Sequence, residues 1–294
     1  LGAFALLPLL TYLPPRPAEG AARVTVLDVG QGLAVHVQTA RHDLVYDTGP
    51  VYTAEADAGN RVLLPYLRAV GVSSLDGVVV THRDTDHSGG AESLLDGLPV
   101  GWLMSSLEFE HPLSAMPVGA LSCQAGQAWV WDGVRFTVLH PAAAQYALPG
   151  RKTNDMSCVI RVATAGGSLL LTSDIEAVSE SGILTRTLAS GQGDLLRSAV
   201  LLAPHHGSRT SSSPAFIEAV GAKTVIFPVG YRNAFGHPRA EVVARYRDTG
   251  AELRRTDAEG ALVVDLPESP ADAGGGGISV QGERARHPRY WYAR

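Results

Sequence analysis

The sequence predicts an α/β fold, a four-layer αββα sandwich, and three observations carry this expectation. Short Val-rich strands fill the first third, a second set of strands follows from residue 128, and helical stretches alternate with the later strands. In order, residues 24–29 (VTVLDV), 33–38 (LAVHVQ) and 43–47 (DLVYD) are short, partly alternating and β-branched, which suits a pleated surface. Residues 60–70 (NRVLLPYLRAV) carry apolar groups at helical spacing despite Pro65. Residues 75–81 (LDGVVVT) form a buried strand that delivers His82 at its end, and a helix starts near Gly89.

Further strands are expected at 100–104, 128–131, 134–140, 158–163, 168–172, 199–203, 224–229 and 260–266. Asp132-Gly133 between strand residues is a hairpin signal. Helices are expected at 176–189, 213–220 and 241–249. Two β-rich halves with helices outside them give the sandwich. Residues 23–267 make up this domain. Residues 1–22 read as the end of a membrane segment and a linker, and 268–294 as a flexible Gly-rich link and an Arg/aromatic-rich C-terminal segment.

The composition, 45% hydrophobic and 18% charged, is globular. A net charge of −5 argues against a generally basic, nucleic-acid-coating surface while leaving room for a local basic groove. The two cysteines, Cys123 and Cys158, lack CxxC spacing, so zinc–thiolate and disulfide-scaffold readings are poor. Two buried thiols are the expectation, with one disulfide between them the alternative if the domain faces an oxidising compartment. Leu1 to Leu13 is apolar and uncharged but too short to span a bilayer alone. It reads as the tail of a membrane helix, with Pro14-Pro15-Arg16-Pro17 leaving the membrane.

The chemistry concentrates in residues 82–87 (HRDTDH). There His82, Asp84, Asp86 and His87 are four ligand types within six residues after a hydrophobic strand. Such crowding costs like-charge repulsion unless cations neutralise it, and the following Ser-Gly-Gly lets the backbone turn sharply.

HxDxDHxGG resembles the signature of the metallo-β-lactamase superfamily, usually HxHxDH, with Asp84 in place of the middle His. Taken with Asp28-Val29-Gly30-Gln31-Gly32, Pro204-His205-His206-Gly207-Ser208, 139–141 (LHP), 172–176 (TSDIE) and 233–238 (NAFGHP), the set is similar to the C-terminal domains of the ComEC competence and DNA-uptake family. Leu33 departs from relatives that continue DVGQG with Asp, and Thr153-Asn154-Asp155 stands where many superfamily members place another His.

The resemblance implies a metallo-β-lactamase-like αββα sandwich holding two divalent metal ions, Mn or Zn. By the family pattern, His82, Asp84, Asp174 and His205 serve one metal, and Asp86, His87, Asp174 and His237 the other. His140 is a further candidate. Two metals about 3.5–4 Å apart would activate water and stabilise developing charge. Asp86 then orients or deprotonates the nucleophile, and His206 contacts the scissile group or protonates the leaving oxygen. Asn154, Ser208 and Asn233 are candidate substrate contacts.

The implied function is a nuclease that degrades the non-imported DNA strand during transformation. The implied setting is the extracytoplasmic (periplasmic) side of the inner membrane, covalently attached to a transmembrane channel, with the isolated domain monomeric. Hydrolysis of small phosphoesters and non-catalytic DNA docking are the alternatives. The Arg-rich segment 284–294 (RARHPRYWYAR) offers strand contacts on either DNA reading.

Overall fold

The computed structural model describes residues 14–108, 110–115, 118–271 and 276–289. Leu1 to Leu13, read from sequence as a membrane segment, lie outside the described residues. Among the described residues no helix is long and apolar enough to cross a membrane.

Seventeen strands occur among the described residues. They are Ala22–Val26 (β1), Ala34–Gln38 (β2), Asp43–Thr48 (β3), Val51–Thr53 (β4), Ala56–Asp57 (β5), Leu75–Val80 (β6), Val100–Ser105 (β7) and Gly119–Ser122 (β8). Ala128–Trp131 (β9), Val134–His140 (β10), Val159–Thr164 (β11), Gly167–Leu171 (β12), Val200–Leu202 (β13), Thr224–Phe227 (β14) and Glu252–Arg255 (β15) follow. Leu262–Leu266 (β16) and Ser279–Gly282 (β17) close the set. One sheet runs β17-β16-β1-β2-β3-β6-β7-β8 and the other β15-β14-β13-β12-β11-β10-β9, while β4 and β5 form a separate hairpin.

Three buried clusters correspond to the three interfaces of four layers. Val24, Val26, Val79, Phe136, Ile160, Leu169 and Leu171 meet between the sheets. Val78 and Val80 face Leu63, Leu67, Ala91 and Leu94 on one outer side. Leu170 and Leu201 face Ile183, Phe216, Ile217 and Tyr246 on the other. Alternate side chains of one strand thus enter different clusters, and for this reason VVV, LLL and VLL are unbroken apolar runs. Pro65 sits in the first turn of the helix Leu64–Ala69, where its missing N–H costs nothing. Asp132 and Gly133 take φ of 49° and 82°, the positive pair a tight hairpin requires, and Trp131 pairs with Val134.

One expectation changes, and both flanking segments make contacts with the domain. Cys123 and Cys158 are joined as a disulfide rather than held as two thiols, with Cα atoms 6.0 Å apart across 35 residues. The bridge ties the end of β8 to the start of β11, and closing a loop of that length is worth about 3–4 kcal/mol in the chain-entropy account. The segment after the Gly-rich link also belongs to the sheet. There β17 pairs antiparallel with β16, Ile278 and Val280 pack on the central core, and Arg284 donates to the Asp257 and Ala258 carbonyls. Finally, Arg16 of the linker is pinned by the carbonyls of Thr39, Ala40 and His42 and by the Asp43 carboxylate.

Candidate metal centre

The candidate residues arrive together because of strand direction. β3, β6, β12, β13 and β14 each have a parallel neighbour, so their carboxyl ends open on one edge of the sandwich. Asp47 lies at the end of β3. His82 to His87 follow β6, Asp174 follows β12, His205 and His206 follow β13, and His237 follows β14. Asp47, Ser173, His205 and His206 all hold positive φ, between 46° and 57°, and such left-handed non-glycine residues gather where side chains must be aimed.

Asp86, His87, Asp174 and His206 each offer one ligand atom within 4.8 Å of the others. Five edges of this shell are defined. His87 Nε2 is 3.1 Å from Asp174 Oδ1, 3.3 Å from His206 Nε2 and 3.7 Å from Asp86 Oδ2. His206 Nε2 is 3.4 Å from both Asp86 Oδ2 and Asp174 Oδ1. Two nitrogens on one tetrahedral ion at bonds of about 2.0–2.1 Å would stand roughly 3.3 Å apart. The edges match that spacing, and an ion between the two facing imidazole Nε2 atoms would account for their approach as well as a hydrogen bond does.

On the other side, Asp174 Oδ2 faces His205 Nε2 at 3.5 Å, and His82 Nε2 lies 3.7 Å from Asp84 Oδ2. The His82 and His87 rings are 4.3 Å apart. His82 Nε2 and Asp174 Oδ1 are buried without a hydrogen-bond partner, and a cation satisfies such atoms. The residues present therefore fit a divalent ion in the first group, with Asp174 presenting its second oxygen to His205.

Burial alone would raise the Asp174 carboxyl, but the imidazoles of His87, His206 and His205 hold it well below the usual range. Burial would lower His87, and the carboxylates of Asp174, Asp47 and Asp86 instead push it well above 6.5. His82 falls to about 4 through burial and the neighbouring His87. Burial opposes the drop of Asp86 to about 2, which the His87 and His206 rings drive. Without an ion, protons on His87 and His206 balance the carboxylates, and a divalent cation would replace them.

The ligand faces are aimed by neighbours. His87 Nδ1 bonds Asp47 Oδ2 at 2.7 Å, and Asp47 also accepts from the Thr81 N–H and hydroxyl. His206 Nδ1 donates to the Pro228 carbonyl at 2.7 Å. His205 Nδ1 lies 3.3 Å from the Thr210 hydroxyl, which donates to Glu176. Such partners fix which nitrogen carries the proton and leave Nε2 free. Asp47 and Glu176 were not among the sequence candidates. The signal for Asp47 was available: DLVYD ends in a carboxylate at a strand's carboxyl end, as 168–174 does with Asp174.

The second glycine of DVGQG, Gly32, serves this centre at one remove. Leu33 N–H donates to the Asp86 carbonyl, and a Cβ on Gly32, whose φ is +145°, would collide with that same carbonyl. Leu33 itself is buried between the sheets, so an apolar residue is what that position holds.

His206, expected as a substrate contact, lies beside Asp86, His87 and Asp174. His237, expected as a ligand, lies farther out with its Nδ1 buried and without a hydrogen-bond partner among the described residues. His206 is buried within the ligand shell, whereas His237 is half-buried with its ring 5.9 Å from His205 and stacked with Phe235. The sequence could not separate them because the β13 end turns through left-handed geometry and carries both adjacent rings inward. Asn233 binds the His237 N–H and carbonyl and so shapes that loop rather than facing outward. Ser208 is buried and pairs with Thr210. Asn154 Nδ2 lies 3.5 Å from His205 Nε2.

His140 stands apart from the cluster. Its Nε2 bonds the Asp155 carbonyl at 2.8 Å and its Nδ1 faces Arg186 at 3.3 Å. Burial pushes it to about 4, with the Arg186 charge acting the same way and the Asp155 carbonyl opposing. A histidine depressed from 6.5 stabilises the fold above pH 6.5, and that share is lost as pH falls from 6.5 to about 4, a loss of ~3 kcal/mol. The difference in urea midpoint between pH 7.5 and 4.5 should accordingly shrink in His140→Gln. An unchanged difference would show that the ring is not held neutral.

Residues 27–230 match the metallo-beta-lactamase superfamily. The chain is 38% identical over 283 residues to Competence protein ComA of Neisseria gonorrhoeae, covering 96% of this chain and 36% of that protein. It is 31% identical over 272 residues to Recombination protein 2 of Haemophilus influenzae, covering 92% and 31%. The chain thus spans about a third of the length of these relatives. Among solved structures, the metallo-beta-lactamase fold protein YhfI of Bacillus subtilis shares the fold, with a TM-score of 0.54, 13% identity, and coverage of 83% of this chain and 99% of that one.

Proposed function

Because the chain belongs to the metallo-β-lactamase superfamily, we propose that it is a binuclear metal-dependent phosphodiesterase that cuts DNA during uptake, degrading the strand that is not imported. The observation that carries the reading is Asp174, one buried carboxylate whose two oxygens face two different sets of imidazoles. In this reading Asp86, His87, His206 and Asp174 hold one divalent ion, and His82, Asp84, His205 and Asp174 the other. Bound ions of this kind lower the pKa of water and neutralise charge building on phosphorus. Asp86, beside His87 and His206, would accept a hydrogen bond from the attacking water and orient it. Asn154 donates to a phosphate oxygen, and His237, at the half-exposed rim, contacts the leaving side of the substrate.

Relatives named for competence and recombination support DNA as the substrate and an attachment to uptake machinery. The Cys123–Cys158 bridge supports the extracytoplasmic side, where disulfides persist. Purified protein supplied with manganese or zinc should cut labelled DNA and lose that activity in His87→Ala. Cleavage of small phosphoesters alone would favour a small-ester hydrolase. DNA binding with no cleavage under any metal would leave a docking domain and end the nuclease reading.

A further inference from the structure

Strand order places two different surfaces on the two sides of the metal centre. In the sheet order β14-β13-β12-β11-β10, the loop after β14 lies on one side of Asp174 and His205, and the β10–β11 loop on the other. In the facing sheet the loops after β3 and β7 flank the 82–87 turn in the same way. Across the groove, Gly230 abuts Gln31 at one end, while Ser106 and Glu108 share a cleft with 148–153 at the other.

These two ends differ in chemistry. The cleft beside His82, about 250 Å³, is lined by Arg83, Arg151, Lys152 and Glu108. Glu108 lies 3.5 Å from Arg83 and Glu176 3.2 Å from Lys152, which leaves the Arg151 charge in excess. That is a local basic excess on a chain of net charge −5. Among the described residues, Arg151 donates to the Gln145 carbonyl and the Met156 sulfur and lies 5.9 Å over the Tyr146 ring, with no carboxylate among these partners. At the opposite end the large apolar side chains left exposed include three aromatics, Tyr52, Tyr231 and Phe235. Tyr52 stands on β4, in the hairpin that follows β3, and Tyr231 and Phe235 on the loop after β14. Phe235 is 60% exposed yet lies parallel to His237, whose ring is in turn 5.9 Å from His205. A ladder of rings therefore leads from the metal cluster out to solvent. Exposed aromatics normally cost hydration free energy, and gathering them at one mouth of a site is a binding feature.

We propose that this groove holds a single strand, with bases stacking on Phe235 and Tyr231 and backbone phosphates held by Arg83, Arg151 and Lys152. This rests on the phosphodiesterase reading for where the scissile phosphate lies. Stacking platforms joined to a basic channel suit unpaired bases, whereas a duplex hides its ring faces from such a ladder.

The test uses anisotropy of the manganese-loaded protein with a fluorescein-labelled, phosphorothioate-linked oligothymidine of about twelve nucleotides, which resists cleavage. The single strand should bind at least about tenfold tighter than a duplex of equal length. Phe235→Ala should weaken binding about tenfold, and Phe235→Trp should restore it. Arg151→Ala should weaken binding and reduce the slope of log affinity against log salt by about one. Equal binding of duplex, or an unchanged Phe235→Ala, overturns the proposal. Hydrolysis of bis(p-nitrophenyl) phosphate by the same preparation separates the two readings. Strand binding as described without diester hydrolysis ends only the nuclease reading. Diester hydrolysis without strand selectivity ends only this one.

Discussion

Asp174→Asn is expected to abolish metal retention and lower phosphodiester hydrolysis by about 10³ or more. Its oxygens face His87 and His206 at 3.1 and 3.4 Å and His205 at 3.5 Å, so this one carboxylate reaches both groups. Asn keeps the shape and one acceptor but removes the negative charge that three imidazoles surround. Losing several kcal/mol of metal-supplied stabilisation corresponds to roughly three decades in rate. Elemental analysis of protein purified without chelator, beside the hydrolysis assay, checks this. Retention of a full metal complement by the variant would show that Asp174 is not a shared ligand. The fold should survive, because the substituted group lies in a loop after β12 rather than in the strand ladder.

Asp47→Asn should weaken metal binding by about 10–100-fold while leaving every proposed ligand in place. The 2.7 Å bond to His87 Nδ1 fixes the proton there and turns Nε2 toward Asp174 and His206. An amide in that position can present its NH₂ as readily as its oxygen, and the wrong tautomer of His87 would place a proton where the ion belongs. Calorimetric titration of zinc or manganese into metal-free wild type and variant measures the change directly. An affinity within twofold of wild type would reduce Asp47 to a structural role under Thr81. The comparison with Asp174→Asn is informative because the two carboxylates touch the same ring on opposite nitrogens. One is proposed to hold metal, and the other only aims the ring.

Much of this protein was legible before any coordinates. The apolar runs VVV, LLL and VLL announce strands buried on both faces, and the sandwich follows from having two such sets with helices outside them. The 82–87 turn is legible because its ligands are adjacent in sequence, and Asp174 because it ends a strand. These are local properties, set by side-chain period and by what a strand delivers at its end.

What only the tertiary structure decided is everything that depends on distance between remote segments. The place of His206 in the buried shell turns on the left-handed backbone at 205–206, which no spacing rule reveals. The service of Asp47 to His87 joins residues forty positions apart through parallel pairing of β3 and β6. Cys123 and Cys158 meet only because β8 and β11 belong to facing sheets. Residues 279–282 look like a tail by composition and become a strand because β16 offers an open edge. In sum, local chemistry is written in order along the chain, whereas ring orientation, charge balance and partner choice depend on how loops from five strands converge.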